Sequence, residues 1–293
     1  MTRLRRAVVV ALILVAAWAI LPDASGQYRG TLEVEAVVAP VTVRTGAGRV
    51  VADVAHNKFH LFVDGLEVPI QDLAREENLP LSFGFILDTS GSMAGHKGRA
   101  CRELIHAFLE RRRSSDEYAL WTFSGGRVLE RFPFGTPWYL LPRILESIRP
   151  WNTTALYDMV QRIPDVMAHA KHPRRTAILL TDGVDNASEM SPGEATRLAQ
   201  GLRTPVYVLG VEPPPRKSSE IGQSYEEILG LMADSSGGHY QRVPNTAGMP
   251  DVVQVLLREL SSRYLITFET SGIGIRKWRP LEVRVEGFQA TTR

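Results

Sequence analysis

An α/β fold is what the sequence predicts: a doubly wound, mostly parallel sheet with helices on both faces, accompanied by a small flanking β domain. Three observations point to it. Between about residues 80 and 261, short apolar runs alternate with amphipathic helical stretches, the succession that builds parallel sheets. One run, LSFGFIL (81–87), is almost wholly apolar, as a strand covered on both faces would be. The segments on either side, 31–70 and 263–288, carry β patterns only.

Taken in order, TLEVEAVV (31–38), VTVRT (41–45), RVVADV (49–54) and FHLFVDGLEVPI (59–70) read as strands, with Asp64-Gly65 as a hairpin turn inside the last. After LSFGFIL comes a helix, GRACRELIHAFLERRR (98–113), whose Cys101, Leu104, Ile105 and Phe108 share one face. YALWTF (118–123) and RVLERF (127–132) read as strands, and PWYLLPRILESI (137–148) as a helix. TALYDMVQRIPDVMAHA (154–170) has helical periodicity despite its proline. TAILLT (176–181) and PVYVLGV (205–211) are strands, with a helix at 191–202 that starts at Ser191-Pro192 and places Glu194 in its first turn. Helices follow at 224–238, closed by glycine, and at 249–263. The tail returns to β with RYLITFE (263–269), a glycine turn (271–277) and WRPLEVRVEGF (278–288). Three consecutive prolines in 212–224 argue against regular structure there.

The amino-terminal end is of another kind. Arg3, Arg5 and Arg6 precede an apolar run over 7–21, which Pro22 ends, and small residues follow at Ala24 and Gly26. That is the pattern of a secretory signal, with the mature chain starting near Gln27 and lying in the periplasm, in the cell envelope or outside the cell. A spanning helix needs about 20 apolar residues, so an uncleaved amino-terminal membrane anchor is the second reading. The expected division is therefore a signal peptide (1–26), an amino-terminal β segment (27–76), an α/β domain (77–261) and a carboxy-terminal β segment (262–293) that pairs with the first.

A net charge of +2 with no large basic block argues against nucleic acid as a partner. The densest cluster, Arg111 to Arg113, ends an amphipathic stretch and reads as a solvated helix end. One cysteine, Cys101, cannot make an internal disulfide and reads as core packing. The histidine pairs His56/His60 and His169/His172 read as surface residues.

The chemistry is concentrated at 85–93, FILDTSGSM, where an apolar run ends in Asp88 and is followed by Ser90 and Ser92. In open α/β sheets, ligands bind at the carboxyl ends of strands. Two more oxygen-rich stretches fall at comparable places: NTTALYD (152–158), running into a helix, and TDGVDN (181–186), after a strand. Together they offer two carboxylates, Asp88 and Asp182, and three hydroxyls, Ser90, Ser92 and Thr154. Ligation by oxygen alone suits a hard ion, Mg²⁺ or Mn²⁺. Capping of the following helix by Asp88 and the serines is the plainer reading, and it leaves the other two stretches unexplained.

DTSGSM resembles the Asp-x-Ser-x-Ser signature of von Willebrand factor type A (VWA) domains, which is part of their metal-ion-dependent adhesion site (MIDAS). TALYD and TDGVD look like the segments that supply that family's threonine, here Thr154, and second aspartate, here Asp182. The wider arrangement, with FHLFVDGLEVPI before and SSRYLITFE…WRPLEVRVEG after, resembles the bacterial VWFA-related proteins. The resemblance implies a Rossmann-like sheet and direct metal contacts by Ser90, Ser92 and Thr154. It implies that Asp88 and Asp182 act directly or through water, and that an open coordination position accepts an acidic side chain from a protein partner. Relatives often carry glycine before the motif threonine, where this chain has Thr153, so Thr153 competes with Thr154. Asp185 reads as a loop aspartate that supports its turn, with metal contact as the lesser reading.

An enzyme is not the reading these residues favour. TSGSM is not a nucleophile elbow, and the sequence has neither a P-loop nor a His-Glu-x-x-His zinc motif. A magnesium-dependent phosphatase-like site would use Asp88 as nucleophile, but would want a carboxylate where Ser90 stands. A metal-stabilised envelope scaffold that binds nothing through its metal is the third reading.

Overall fold

The computed structural model describes residues 36–46, 49–76, 79–214, 222–243, 249–269 and 280–292. The expected leader, residues 215–221 of the proline-rich stretch and the glycine turn at 271–277 lie outside the described residues. The chain opens with β1 (Ala36–Arg44), β2 (Phe59–Val63), β3 (Leu66–Val68) and β4 (Asp72–Arg75). Next come β5 (Ser82–Asp88), α1 (His96–Glu110), β6 (Glu117–Ser124), β7 (Arg127–Phe132) and α2 (Leu141–Ser147). They are followed by α3 (Leu156–Val160), α4 (Ile163–Met167), β8 (Arg175–Thr181), α5 (Pro192–Gln200) and β9 (Val206–Val211). The last elements are α6 (Tyr225–Ser235), β10 (Tyr240–Val243), α7 (Met249–Ser261), β11 (Tyr264–Glu269), β12 (Leu281–Val285) and β13 (Gln289–Thr292).

The central sheet has the order β10-β9-β8-β5-β6-β7. All neighbours are parallel except the edge pair β6/β7. Strand alternation divides its side chains between two cores. Phe83, Phe85 and Leu87 of β5 join α1, α2 and α7 on one face, whereas Ile86 joins α3, α4, α5 and α6 on the other. Every residue of β5 is buried, which is why its sequence is apolar rather than alternating. Gly84 lets Met167 pack closely on β5: a Cβ there would lie 2.4 Å from Met167 Sδ, so the methionine would have to shift. Cys101 lies fully buried in the first core, where desolvation pushes its thiol pKa up, away from reactivity.

The flanking strands pair with one another in two antiparallel sheets, β13-β1-β11-β4 and β12-β2-β3. Between them lies a third core containing Val41, Val43, Leu61 and Ile266. Asp64 (φ 53°) and Gly65 (φ 79°) form the β2/β3 turn in the left-handed region, the conformation an Asp-Gly hairpin supplies.

Several local expectations give way to the packing. One strand, β1, stands where two were expected, running through Pro40. Pro40 sits one residue beyond the ladder with β13, where β1 has a single neighbour and a missing amide is tolerated. Residues 49–54 form no strand and make only the bridge Val50–Arg44. Their amides go instead to Val43 O (from Val51, 2.9 Å) and Tyr264 Oη (from Val54, 2.9 Å). The expected helix at 154–170 divides into α3 and α4. Pro164 has no amide to offer, and its ring would clash with the carbonyl of Val160 in a continuous helix. The first residues of the expected helix at 137–148 form a 3₁₀ turn at Trp138–Leu140 before α2.

Candidate metal centre

β5 and β8 are parallel neighbours with Leu87 opposite Leu180, so their carboxyl ends place Asp88 beside Thr181. The Thr181 hydroxyl donates to Asp88 Oδ2 at 2.6 Å. Asp88 Oδ1 accepts the Ser90 amide at 2.9 Å, which turns the chain back over the carboxylate. Residues Gly91–Met93 form a 3₁₀ turn anchored by the fully buried Met93. Within that turn the Ser90 and Ser92 hydroxyls approach to 3.1 Å. Gly95, at φ 73°, then swings the chain into α1.

The second loop is held to the first by backbone. The Trp151 amide donates to Thr89 O (2.8 Å), and the Gly91 amide to Asn152 O (2.8 Å). Thr153 is exposed and its carbonyl accepts the Gly125 amide at 2.7 Å. Thr154 is buried, at 1% exposure. Its amide donates to Asn186 Oδ1 at 2.8 Å, and its carbonyl accepts the amides of Asn186 and Ala187.

The third loop supplies the second carboxylate. Asp182 has no exposed surface, and its Oδ1 accepts the Val184 amide at 3.2 Å. Asp185 is turned to structural use: Oδ2 accepts the Leu156 amide (2.7 Å), the Tyr157 amide (3.2 Å) and the Ser188 hydroxyl (2.5 Å). It satisfies the amides that begin α3, so the second and third loops are one hydrogen-bonded unit.

Asp88 is thus tied to Ser90 and Thr181, and the Ser90 hydroxyl to that of Ser92, while Asp182 follows Thr181 in the chain and lies within electrostatic reach of Asp88. Thr154 is tied by its backbone to Asn186 and Ala187 of the third loop. Both acids, Asp88 and Asp182, are buried. Burial raises the Asp88 carboxyl from 3.8 to about 6, against the hydrogen bonds from Thr181 and Ser90, and Asp182 adds to the rise. Two carboxylates with hydroxyl oxygens around them are the donor set of a hard divalent ion rather than of zinc or copper. Among the described residues no group of three or more His, Cys, Asp or Glu side chains is arranged to hold a metal.

Sequence reasoning missed two neighbours. Lys97 Nζ donates to Asp182 Oδ2 at 2.7 Å, and His96 Nε2 lies 2.8 Å from Glu212 Oε2. Both basic residues stand in the first turn of α1, where the helix dipole disfavours cations. That misplacement was the available signal of acids opposite. The rim of the site also carries Trp151, 44% exposed, on the loop that ties to Thr89. Among the described residues no helix is long and apolar enough to cross a membrane.

The von Willebrand factor type A domain family matches residues 84–255, more than half of the chain. No curated protein matches. Among solved structures, BatB from Bacteroides thetaiotaomicron is 21% identical over 61% of this chain and 98% of its own, with a TM-score of 0.48. The vWF domain of the type V pili tip protein Mfa5 from Porphyromonas gingivalis is 10% identical over 61% of this chain and 94% of its own, with a TM-score of 0.48. The pilus adhesin SpaC from Lactobacillus rhamnosus GG is 11% identical over 70% of this chain and 35% of its own, with a TM-score of 0.50.

Proposed function

The chain belongs to the von Willebrand factor type A domain family, and on that premise we propose that it is an exported, non-enzymatic binding protein with a MIDAS. In this reading Asp88, Ser90, Ser92, Thr154 and Asp182 hold Mg²⁺ or Mn²⁺, and the site takes an acidic side chain of a protein partner. When bound, the ion supplies an oxygen-seeking positive centre. The protein's part is to fix the oxygens around it. Asp88 and Asp182 contribute two negative charges, and Ser90 and Ser92 present paired hydroxyls on a loop pinned by Met93. The burial of Thr154 favours it over the exposed Thr153 as the third hydroxyl.

The observation that carries the reading is the pair of buried carboxylates beside the Ser90/Ser92 hydroxyl pair, all at the carboxyl ends of β5 and β8. A buried charge is costly unless it is compensated, and a divalent ion compensates two. A phosphatase-like reading is less well supported by the same residues, because Ser90 stands where its second carboxylate would be and His96 is engaged by Glu212. The arginine-led apolar run over 3–21 supports export, with the mature chain secreted, periplasmic or envelope-bound, or anchored if that segment is retained.

Calorimetric titration with Mn²⁺ tests the metal. Binding to the native state alone adds about 2.7 kcal/mol of stability at 100-fold saturation, so melting in millimolar Mn²⁺ should be well above melting in EDTA, and Asp88→Ala should remove the difference. Coincident melts of the wild type would sink the reading. Partner capture from envelope extracts should be lost with chelator; capture indifferent to chelator would favour the scaffold. Once a partner is in hand, Asp88→Asn and loss of its acidic residue should be non-additive, as a shared contact requires.

A further inference from the structure

We infer that Lys97 is a fixed cation of the candidate metal centre, one that weakens its hold on the divalent ion and strengthens the loaded site's hold on an acidic group. The inference rests on the metal reading above. Lys97 Nζ lies 2.7 Å from Asp182 Oδ2, with side-chain exposures of 17% and 1%. A pair this far from water keeps much of its electrostatic strength. Its own helix does not account for the lysine, because a cation in the first turn of α1 opposes the helix dipole. The neighbouring acids leave it to Asp182: Glu212 is taken by His96, and Asp185 faces the amides that open α3.

The charge arithmetic gives the consequence. Asp88 and Asp182 together carry two negative charges, which a divalent ion would just neutralise. Lys97 reduces that pair to one net negative charge before loading, so the ion is held less tightly. After loading, the same lysine leaves one net positive charge at the mouth of the sheet. A carboxylate from a partner then meets a cationic site instead of a neutral one. The lysine therefore shifts affinity from the metal to the ligand, and its removal should move the two in opposite directions.

The probes are Mn²⁺ alone, titrated by calorimetry, and acetate, followed through the water-proton relaxation enhancement of bound Mn²⁺. Lys97→Met should bind Mn²⁺ about tenfold more tightly and acetate about tenfold more weakly, the scale of one unit charge removed from a partly dry site. Lys97→Arg should stay within about twofold of wild type in both, since the charge is retained. If Lys97→Met does not fold without metal, Lys97→Gln, which still donates to Asp182, carries the same test. Wild type that binds Mn²⁺ while either expected shift is missing, or with both affinities falling together, overturns this inference alone: Lys97 then merely positions Asp182. Wild type that binds no Mn²⁺ overturns the metal reading and this inference with it.

Discussion

Asp88 accepts two hydrogen bonds, yet burial and the neighbouring Asp182 lift its carboxyl from 3.8 to about 6. A group whose folded pKa is raised contributes stability that is fully present below its unfolded pKa and is lost as pH rises through the folded one. In EDTA, raising the pH from about 4 to about 7 should therefore cost the wild type about 2 kcal/mol at this residue. Asp88→Asn should not show that loss, so chemical denaturation of the two proteins across this range isolates it. Saturating Mn²⁺ should erase the difference in slope. At the same scale, Ser92→Ala removes one hydroxyl from an exposed position and should weaken Mn²⁺ binding while leaving the metal-free melt unchanged. Asp88, Ser90, Ser92 and Asp182 stand out in the sequence because their stretches follow apolar runs, and Thr154 because its stretch runs into a helix. The lysine is marked only by standing in the first turn of α1, at the wrong end of the helix dipole, and a helix read as starting at Gly98 leaves that signal outside it.

Among the elements, those that bury both faces are the ones the sequence displays. β5, β8 and β9 are apolar because helices cover them on each side. The strands that escape notice, β4, β10 and β13, all lie at sheet edges, where DLAR, YQRV and QATT need no apolar run. Caps follow the same logic. Ser191 and Glu194 form a reciprocal capping box on α5, visible from local spacing, and Ser224 and Glu227 form another on α6. The cap of α3 comes from Asp185, 29 residues away from Leu156, and no local pattern could show it. Asp185→Ala should cost on the order of 2 kcal/mol, since it strands buried amides. It should also weaken Mn²⁺ binding by loosening the second loop from the third. Loss of stability with unchanged Mn²⁺ affinity would show that the two loops hold their places independently.

For the whole molecule, the joint between the α/β unit and the flanking sheets is a small buried network. Arg174, just before β8, bonds Glu76 at 2.9 Å, Leu79 O at 2.9 Å and Leu260 O, and Arg263 approaches the same glutamate at 3.8 Å. Removing one partner of such a pair leaves a buried charge alone and costs about 3–5 kcal/mol. Glu76→Ala should therefore lower stability by that order and split one thermal transition into two, as calorimetry would reveal. The pairing of β4 with β11, Arg75 opposite Tyr264, also means that the α/β unit leaves and rejoins the flanking sheets at adjacent positions. Mechanically, the unit is an insertion in a clasp. In β1, the amino-terminal end lies on the same side as the carboxyl ends of β11 and β13, both antiparallel to it. Tension applied through the two ends of the chain would peel those ladders apart one hydrogen bond at a time, like a zip. The strands of the clasp would yield first, so on the proposed reading a partner held at the carboxyl ends of β5 and β8 would remain gripped while the flanking strands lengthen.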